Sequence, residues 1–268
     1  MVLRLKPRES RTLPGLPRTK VREPARTIQK SPGLREIASR GFCFWRPVLK
    51  NLDLSTHHLG QNRDAADALQ SIFSAIESLN QILIKHLGAG AGLYATDFVV
   101  FAAAKRTLSL GRAFLSMIEV PNFGVAAALL RMQLDTVLRF SALARVKNQE
   151  DFAMAMLRGD RISKMVSVSG EKLTDKFLIS RLSKTVPWIE DVYRETSGFI
   201  HLSDRHIGQT FSGLNDENRT FRFEISAEDV KRPAEDYVEI ARAFEATTNL
   251  VISLLTSWLE TKPRVAPE

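Results

Sequence analysis

Residues 123–147, FGVAAALLRMQLDTVLRFSALARVK, decide the fold. Apolar side chains fall at Val125, Leu129, Leu130, Leu134, Val137, Leu138, Phe140 and Leu143. On a helical wheel they leave almost no polar side, and a helix apolar nearly all round must be enclosed by other elements. Pro121 and Asn122 break the chain just before this stretch. The expectation is a central helix reaching about Lys147 in an all-α bundle.

The flanking sequence supplies the walls. From Asn62 to Leu87, Ala65, Leu69, Ile72, Phe73, Ile76, Leu79, Leu83 and Leu87 follow helical spacing along one stripe. The glycine-rich loop from His86 to Gly92 ends that helix. A second helix is expected from about Thr96, a capping residue, to Glu119. After the central helix come shorter segments near Gln149–Val168 and Glu171–Leu182. Pro187 then opens a helix continuing to about Leu202, proline being tolerated in a first turn. About Pro233–Thr261, an inner stripe of Tyr237, Ile240, Phe244, Val251, Leu255 and Trp258 closes the bundle. Between about 206 and 225 the period changes: Phe221, Phe223 and Ile225 alternate with Arg222 and Glu224 after the turn-forming 215–218 stretch. That pattern predicts a small β-hairpin insertion. The architecture expected is thus a bundle of five to seven helices with one hairpin.

Charge separates the chain into two parts. The 268 residues carry a formal net charge of +8, yet residues 1–50 hold 13 of the 38 Lys and Arg and three of the 30 Asp and Glu. Residues 51–268 therefore carry 25 bases against 27 acids, a net of −2. The first 50 residues also contain six of the 11 prolines and few apolar residues before Phe42, a composition that cannot offset the entropy of ordering. They read as a basic, disordered arm, with residues 51–268 as the folded domain. Any non-specific affinity for nucleic acid would come from the arm, because such binding needs a cationic field.

A single cysteine, Cys43, excludes an intrachain disulfide and a cysteine-based zinc site, and fits a reducing compartment such as the cytoplasm. No apolar run is long enough to span a bilayer. The Gly88–Gly92 loop lacks the Lys-Ser/Thr of a phosphate loop, and His57-His58 has no further ligand at helical spacing. Neither a metal nor a cofactor is expected.

Chemistry-bearing residues concentrate in Trp188–His201. On a continuous helix, Trp188, Ile189, Val192, Thr196, Phe199 and Ile200 point inward. Arg194 and His201, seven residues apart, then share the opposite side within about 20°, with Glu190 and Ser197 in the same polar sector. Gly198 lies inside this helix at a cost of about 1 kcal/mol relative to Ala, which close approach by another backbone would justify. A guanidinium can hold a phosphate, and an imidazole can move a proton near neutral pH. Together they can divide the work of metal-free RNA cleavage, provided a dimer completes the site. The plainer reading is a solvated face on which Glu190 and Arg194 form an i,i+4 pair.

An Arg followed by a His near a helix end in an all-α bundle resembles the Arg-x4-6-His motif of the HEPN superfamily. The Tyr193-x3-Ser197-x3-His201 pattern also resembles uncharacterised bacterial helical proteins near that superfamily. The resemblance covers about Asn62–Thr261 by architecture and rests on two residues by motif. It implies a homodimeric, metal-independent ribonuclease of toxin or phage-defence type, with RNA as substrate and an antitoxin-type protein as a further partner. Arg194 would contact the phosphate and His201 transfer the proton, with Glu190, Tyr193 and Ser197 in support. Glu195 stands where the nuclease pattern has a polar residue, but its negative charge does not favour a phosphate.

Arg131, Asp135 and Arg139 form a second constellation, at i, i+4 and i+8 on the most apolar helix. Charges there need partners. They make either an anion pocket or a structural ion-pair ladder. The reading from a different class is accordingly a non-catalytic helical module that binds a protein or small ligand through the Arg131/Asp135 region or the hairpin.

Overall fold

In a computed structural model the described residues are 59, 62–87, 94–215, 220–229 and 232–261. The arm expected over residues 1–50, the His57-His58 pair and the Gly88–Gly92 loop lie outside them. Eight α-helices are present among the described residues: α1 (Arg63–Leu87), α2 (Ala95–Glu119), α3 (Phe123–Ser141), α4 (Gln149–Leu157), α5 (Asp175–Leu182), α6 (Ile189–Ser197), α7 (Asp204–Gln209) and α8 (Ala234–Thr261). Short 3-10 helices cover Ala142–Arg145 and Ile162–Lys164. Strands β1 (Phe211–Asn215) and β2 (Thr220–Phe223) form an antiparallel hairpin.

The apolar pattern of α3 does what its wheel requires. Leu130, Leu134, Val137 and Leu138 are buried at its centre, with α2 and α8 packed along it and α6 and α5 on a further side. Helix α1 packs mainly on α8, and Phe114 of α2 stacks on Phe244 of α8 with ring centroids 4.0 Å apart. Local chemistry sets the ends. Asn62 accepts the Ala65 N–H at the start of α1, and Asn122 accepts the Val125 N–H at the start of α3. The start of α2 takes its cap from a distance, where the Glu150 carboxylate accepts both the Ala95 and Thr96 N–H groups. No helix among the described residues is long and apolar enough to cross a membrane.

Three sequence expectations are corrected. The helix expected over Gln149–Val168 stops at Leu157. Gly159, at φ +86°, permits a reverse turn in which its N–H donates to Met156 and the Asp160 N–H to Ala155, the paired bonds of a glycine C-terminal cap. The hairpin is shorter than 206–225, because Ser203 caps α7 by accepting the Arg205 N–H. The third correction bears on function. The helix expected from Pro187 to Leu202 ends at Ser197.

Its last turn gives its carbonyls to side chains. Thr196 Oγ1 donates to the Val192 carbonyl at 2.6 Å and Ser197 Oγ to that of Tyr193, a competition that weakens continued helix. The backbone then tightens, with Phe199 N–H donating to Thr196 and Ile200 N–H to Ser197. Ser203 Oγ donates to the Gly198 carbonyl at 2.7 Å. Gly198 is needed for close approach, although by side chains rather than backbone: a β-carbon there would lie 2.7 Å from Arg205 Cγ and 3.2 Å from Ser203 Oγ.

Candidate functional site

Ending α6 at Ser197 divides the predicted site into two halves. His201 follows in the exposed turn beyond the helix, so it does not share a helical face with Arg194. Among the described residues no hydrogen bond orients its ring. Arg194 stays on α6 with its side chain 66% exposed, 2.9 Å from Asp191 and 3.5 Å from Glu195. The pair expected with Glu190 is therefore made with Asp191, one turn away at i,i+3, and Glu190 is simply exposed. Glu195 also binds Arg205. Arg194 and Arg205 are thus interleaved with carboxylates, the opposite of the open cationic surface that a phosphate backbone selects.

The supporting residues do come together, on the other side of α6. Arg131 is only 8% exposed. Its guanidinium carbon lies over the Tyr193 ring, 3.7 Å from the centroid, a cation–π arrangement. Its Nε donates to Ser197 Oγ at 3.3 Å. Its Nη1 lies 2.6 Å from Asp135 Oδ1 as a charge contact, neither atom having a properly aligned hydrogen-bond partner. The expected ladder stops there, for Arg139 turns away to pair with Asp175 of α5 at 2.6 Å. Tyr193 OH donates to the same Asp175 carboxylate at 3.1 Å. Burial raises the Tyr193 phenol above its ordinary range, and the Asp175 charge adds to the rise against the opposing pull of Arg131.

Two guanidiniums, two carboxylates and a phenol therefore clasp α6 to α3 and α5. Arg131 is buried against Tyr193, Ser197 and Asp135 of its own chain, the arrangement expected of a structural joint. Asp175 was missed in the sequence. Its local signal, Thr174 accepting the Phe177 N–H at the start of α5, marks a helix start and says nothing of a tyrosine 18 residues on.

The hairpin presents exposed aromatic surface. Phe211 pairs with Phe223 across the strands, and the rings of Phe211, Phe221 and Phe223 touch one another at centroid separations of 5.3–6.4 Å. All three remain exposed, Phe221 by 61% and Phe223 by 59%, with Ile207, Leu202 and Ile225 exposed nearby in sequence. Below it the chain is firmly held. The Asp229 N–H donates to the Pro121 carbonyl, and its carboxylate accepts the Phe123 N–H at 2.7 Å and the Tyr237 hydroxyl at 2.6 Å. Arg232 covers the Phe123 ring at 4.0 Å. Tyr237, buried and bonded to Asp229, has its phenol raised far above the ordinary range. These contacts tie the segment that follows the hairpin to the starts of α3 and α8.

Among the described residues no group of His, Cys, Asp and Glu is placed to hold a metal ion. Comparison with protein-family models, with curated proteins and with solved structures found no match to this chain.

Proposed function

We propose that this domain is a helical protein-binding module that meets its partner through the aromatic face of the β1–β2 hairpin. The observation behind this reading is the cluster of Phe211, Phe221 and Phe223, exposed together on one hairpin. Contiguous exposed apolar surface marks interaction sites in water-soluble folds, and a lone two-stranded hairpin is marginal until something covers it. A photo-crosslinking residue at position 221 in growing cells tests the reading. The expected product is a discrete protein adduct, with this chain itself counted among the partners. Replacing Phe211 and Phe223 with Ser in that background removes the adduct without lowering the melting temperature. Absence of any adduct sinks the proposal.

A second reading keeps one observation in its favour. Arg194 and His201 are both exposed to solvent, so both are open to a ligand that a second chain brings. Under it the protein is a HEPN-like, homodimeric, metal-independent ribonuclease. Cleavage of single-stranded RNA by the purified chain, lost on His201→Ala, would carry that reading.

A further inference from the structure

We propose that Arg145 and Arg181, beside the Ser167–Glu171 turn, form a binding site for the phosphate group of a small molecule. The site is separate from the hairpin and stands whether or not the hairpin binds a partner.

Charge sets this part of the domain apart. Residues 51–268 carry a net of −2, yet residues 145–184 within them hold nine Lys and Arg against five Asp and Glu, a net of +4. A local excess of that sign draws anions whatever the charge of the whole. Arg145 differs from the exposed arginines of the segment. It is half-buried, and its Nε is enclosed without a hydrogen-bond partner. No ion pair or hydrogen bond joins its side chain to a described residue. A charge drawn partly out of water without a partner is costly, and a bound anion offsets that cost.

Local structure brings a second guanidinium to the same place. Arg145 ends the 3-10 helix after α3, and its carbonyl accepts the Val168 N–H at 2.8 Å. That bond fastens the Ser167–Glu171 turn to the backbone of the arginine. Gly170, at φ +81°, reverses the turn, and the Ser167 N–H closes it by donating to the Glu171 carbonyl. Ser167 Oγ accepts the Ser169 and Glu171 N–H groups and lies 2.9 Å from Ser169 Oγ. Ser169 Oγ donates to the Glu171 carboxylate at 2.9 Å, and Arg181 of α5 donates to the same oxygen at 3.0 Å. Phe177, one turn earlier on α5, has its ring centroid 5.2 Å from the Arg181 guanidinium carbon. Burial, and then the charge of Arg181, hold Arg145 below the ordinary arginine range. The two guanidiniums are thus near enough to repel each other.

The one carboxylate paired here, Glu171, is committed to Ser169 and Arg181, which leaves Arg145 unserved. A carboxylate ligand has two oxygens in one plane and fits one guanidinium fork. A tetrahedral phosphate presents oxygens in several directions, so it can meet both guanidiniums at once. The Ser167 and Ser169 hydroxyls can rotate to donate to a further oxygen.

Calorimetric titration of the full chain tests this, with inorganic phosphate and glycerol phosphate as probes and sodium chloride holding ionic strength constant. Wild type is expected to bind at least one of them saturably. Arg145→Gln should weaken that binding about tenfold or more, the loss of a charge-assisted contact. Arg158→Gln, at an exposed arginine paired with Asp160, should bind as wild type does. The bases of residues 1–50 are common to all variants, so affinity they add cancels in the comparison. If Arg145→Gln does not fold, Arg145→Lys carries the test. It keeps the charge, loses the fork, and should bind several-fold more weakly. Tighter binding of glycerol phosphate assigns the site to a phosphate ester and tighter binding of inorganic phosphate to the free ion; either upholds it. Wild type that binds neither probe, an Arg145 variant that binds as tightly as wild type, or equal losses at positions 145 and 158 each overturns the inference.

Discussion

Helix α3 and strand β2 are both rich in apolar residues, and their surroundings are opposite. Leu130, Leu134 and Leu138 of α3 are enclosed by helices of their own chain. Phe221 and Phe223 of β2 meet mainly one another and water. The difference lies in what the chain offers as cover. A helix apolar all round is satisfied by the four helices that its own sequence places around it. A two-stranded hairpin has one partner strand for one edge, and nothing among the described residues sheathes its aromatic face. Apolar content in α3 therefore stabilises the fold. In β2 it stays exposed, and under the proposed function that is where a partner would bind.

Two truncations measure that contrast, and the core one is expected to have the largest effect of all. Leu134→Ala removes a side chain that is fully buried and is expected to lower stability by about 2–5 kcal/mol in chemical denaturation, the span seen for leucine cavities. Phe223→Ala should fall within about 0.5 kcal/mol of wild type, as exposed substitutions do. Comparable losses for the two would mean that the hairpin packs on the bundle, and the contrast would collapse.

The α3–α6 clasp should lie between these extremes. Arg131→Met leaves Asp135 and Tyr193 without their cation. Removing one partner of a buried pair costs about 3–5 kcal/mol, and the one-third exposure of the Asp135 side chain reduces that here to about 2 kcal/mol. An unchanged denaturation midpoint would instead free Arg131 for a ligand. Tyr193→Phe sharpens the same point through pH. It deletes the hydroxyl that donates to Asp175, at a cost of about 1 kcal/mol near neutrality. Because the folded state raises the Tyr193 phenol, wild type keeps its full advantage below the ordinary phenol range and loses it as pH rises toward the folded value. Tyr237 is common to both proteins. The stability gap between wild type and Tyr193→Phe should therefore narrow in alkaline solution, and a gap that widens there would contradict the assigned geometry.

How far the sequence could be read depends on which force set each feature. Long helices were legible because their apolar stripes run over 19–28 residues, and the hairpin because Phe221, Phe223 and Ile225 alternate with charges. The end of α6 was not. Phe199 and Ile200 continue its apolar stripe, so periodicity extends the helix through Gly198. What stops it is competition for carbonyls by Thr196 and Ser197 and the return of Ser203 to Gly198. The pairing of Tyr193 and Arg139 with Asp175 was invisible for a different reason, since tertiary packing brings them together and no spacing encodes it. Arg131 and Asp135 of one constellation and Tyr193 and Ser197 of the other stood apart in the sequence, and only packing brings them together.

The smallest expected change in stability belongs to His201→Ala, and that makes it the sharpest discriminator between the two functional readings. His201 is exposed in the turn after α6, with no hydrogen bond to another described residue, so its removal should shift stability by no more than about 0.5 kcal/mol. Any loss of RNA cleavage would then reflect chemistry and not unfolding. The placement of the ring argues for no loss. A general acid–base must be held within hydrogen-bonding reach of the proton it moves. The turn at 198–203 ties Gly198 to Ser203 and leaves the histidine between them pointing into solvent. For that ring to act, a second chain or the bound RNA would have to orient it beside Arg194, whose guanidinium already contacts Asp191 and Glu195. Purified wild type and His201→Ala, compared on single-stranded RNA at equal concentration, are expected to be indistinguishable. A His201-dependent product would transfer the function from the hairpin to the end of α6.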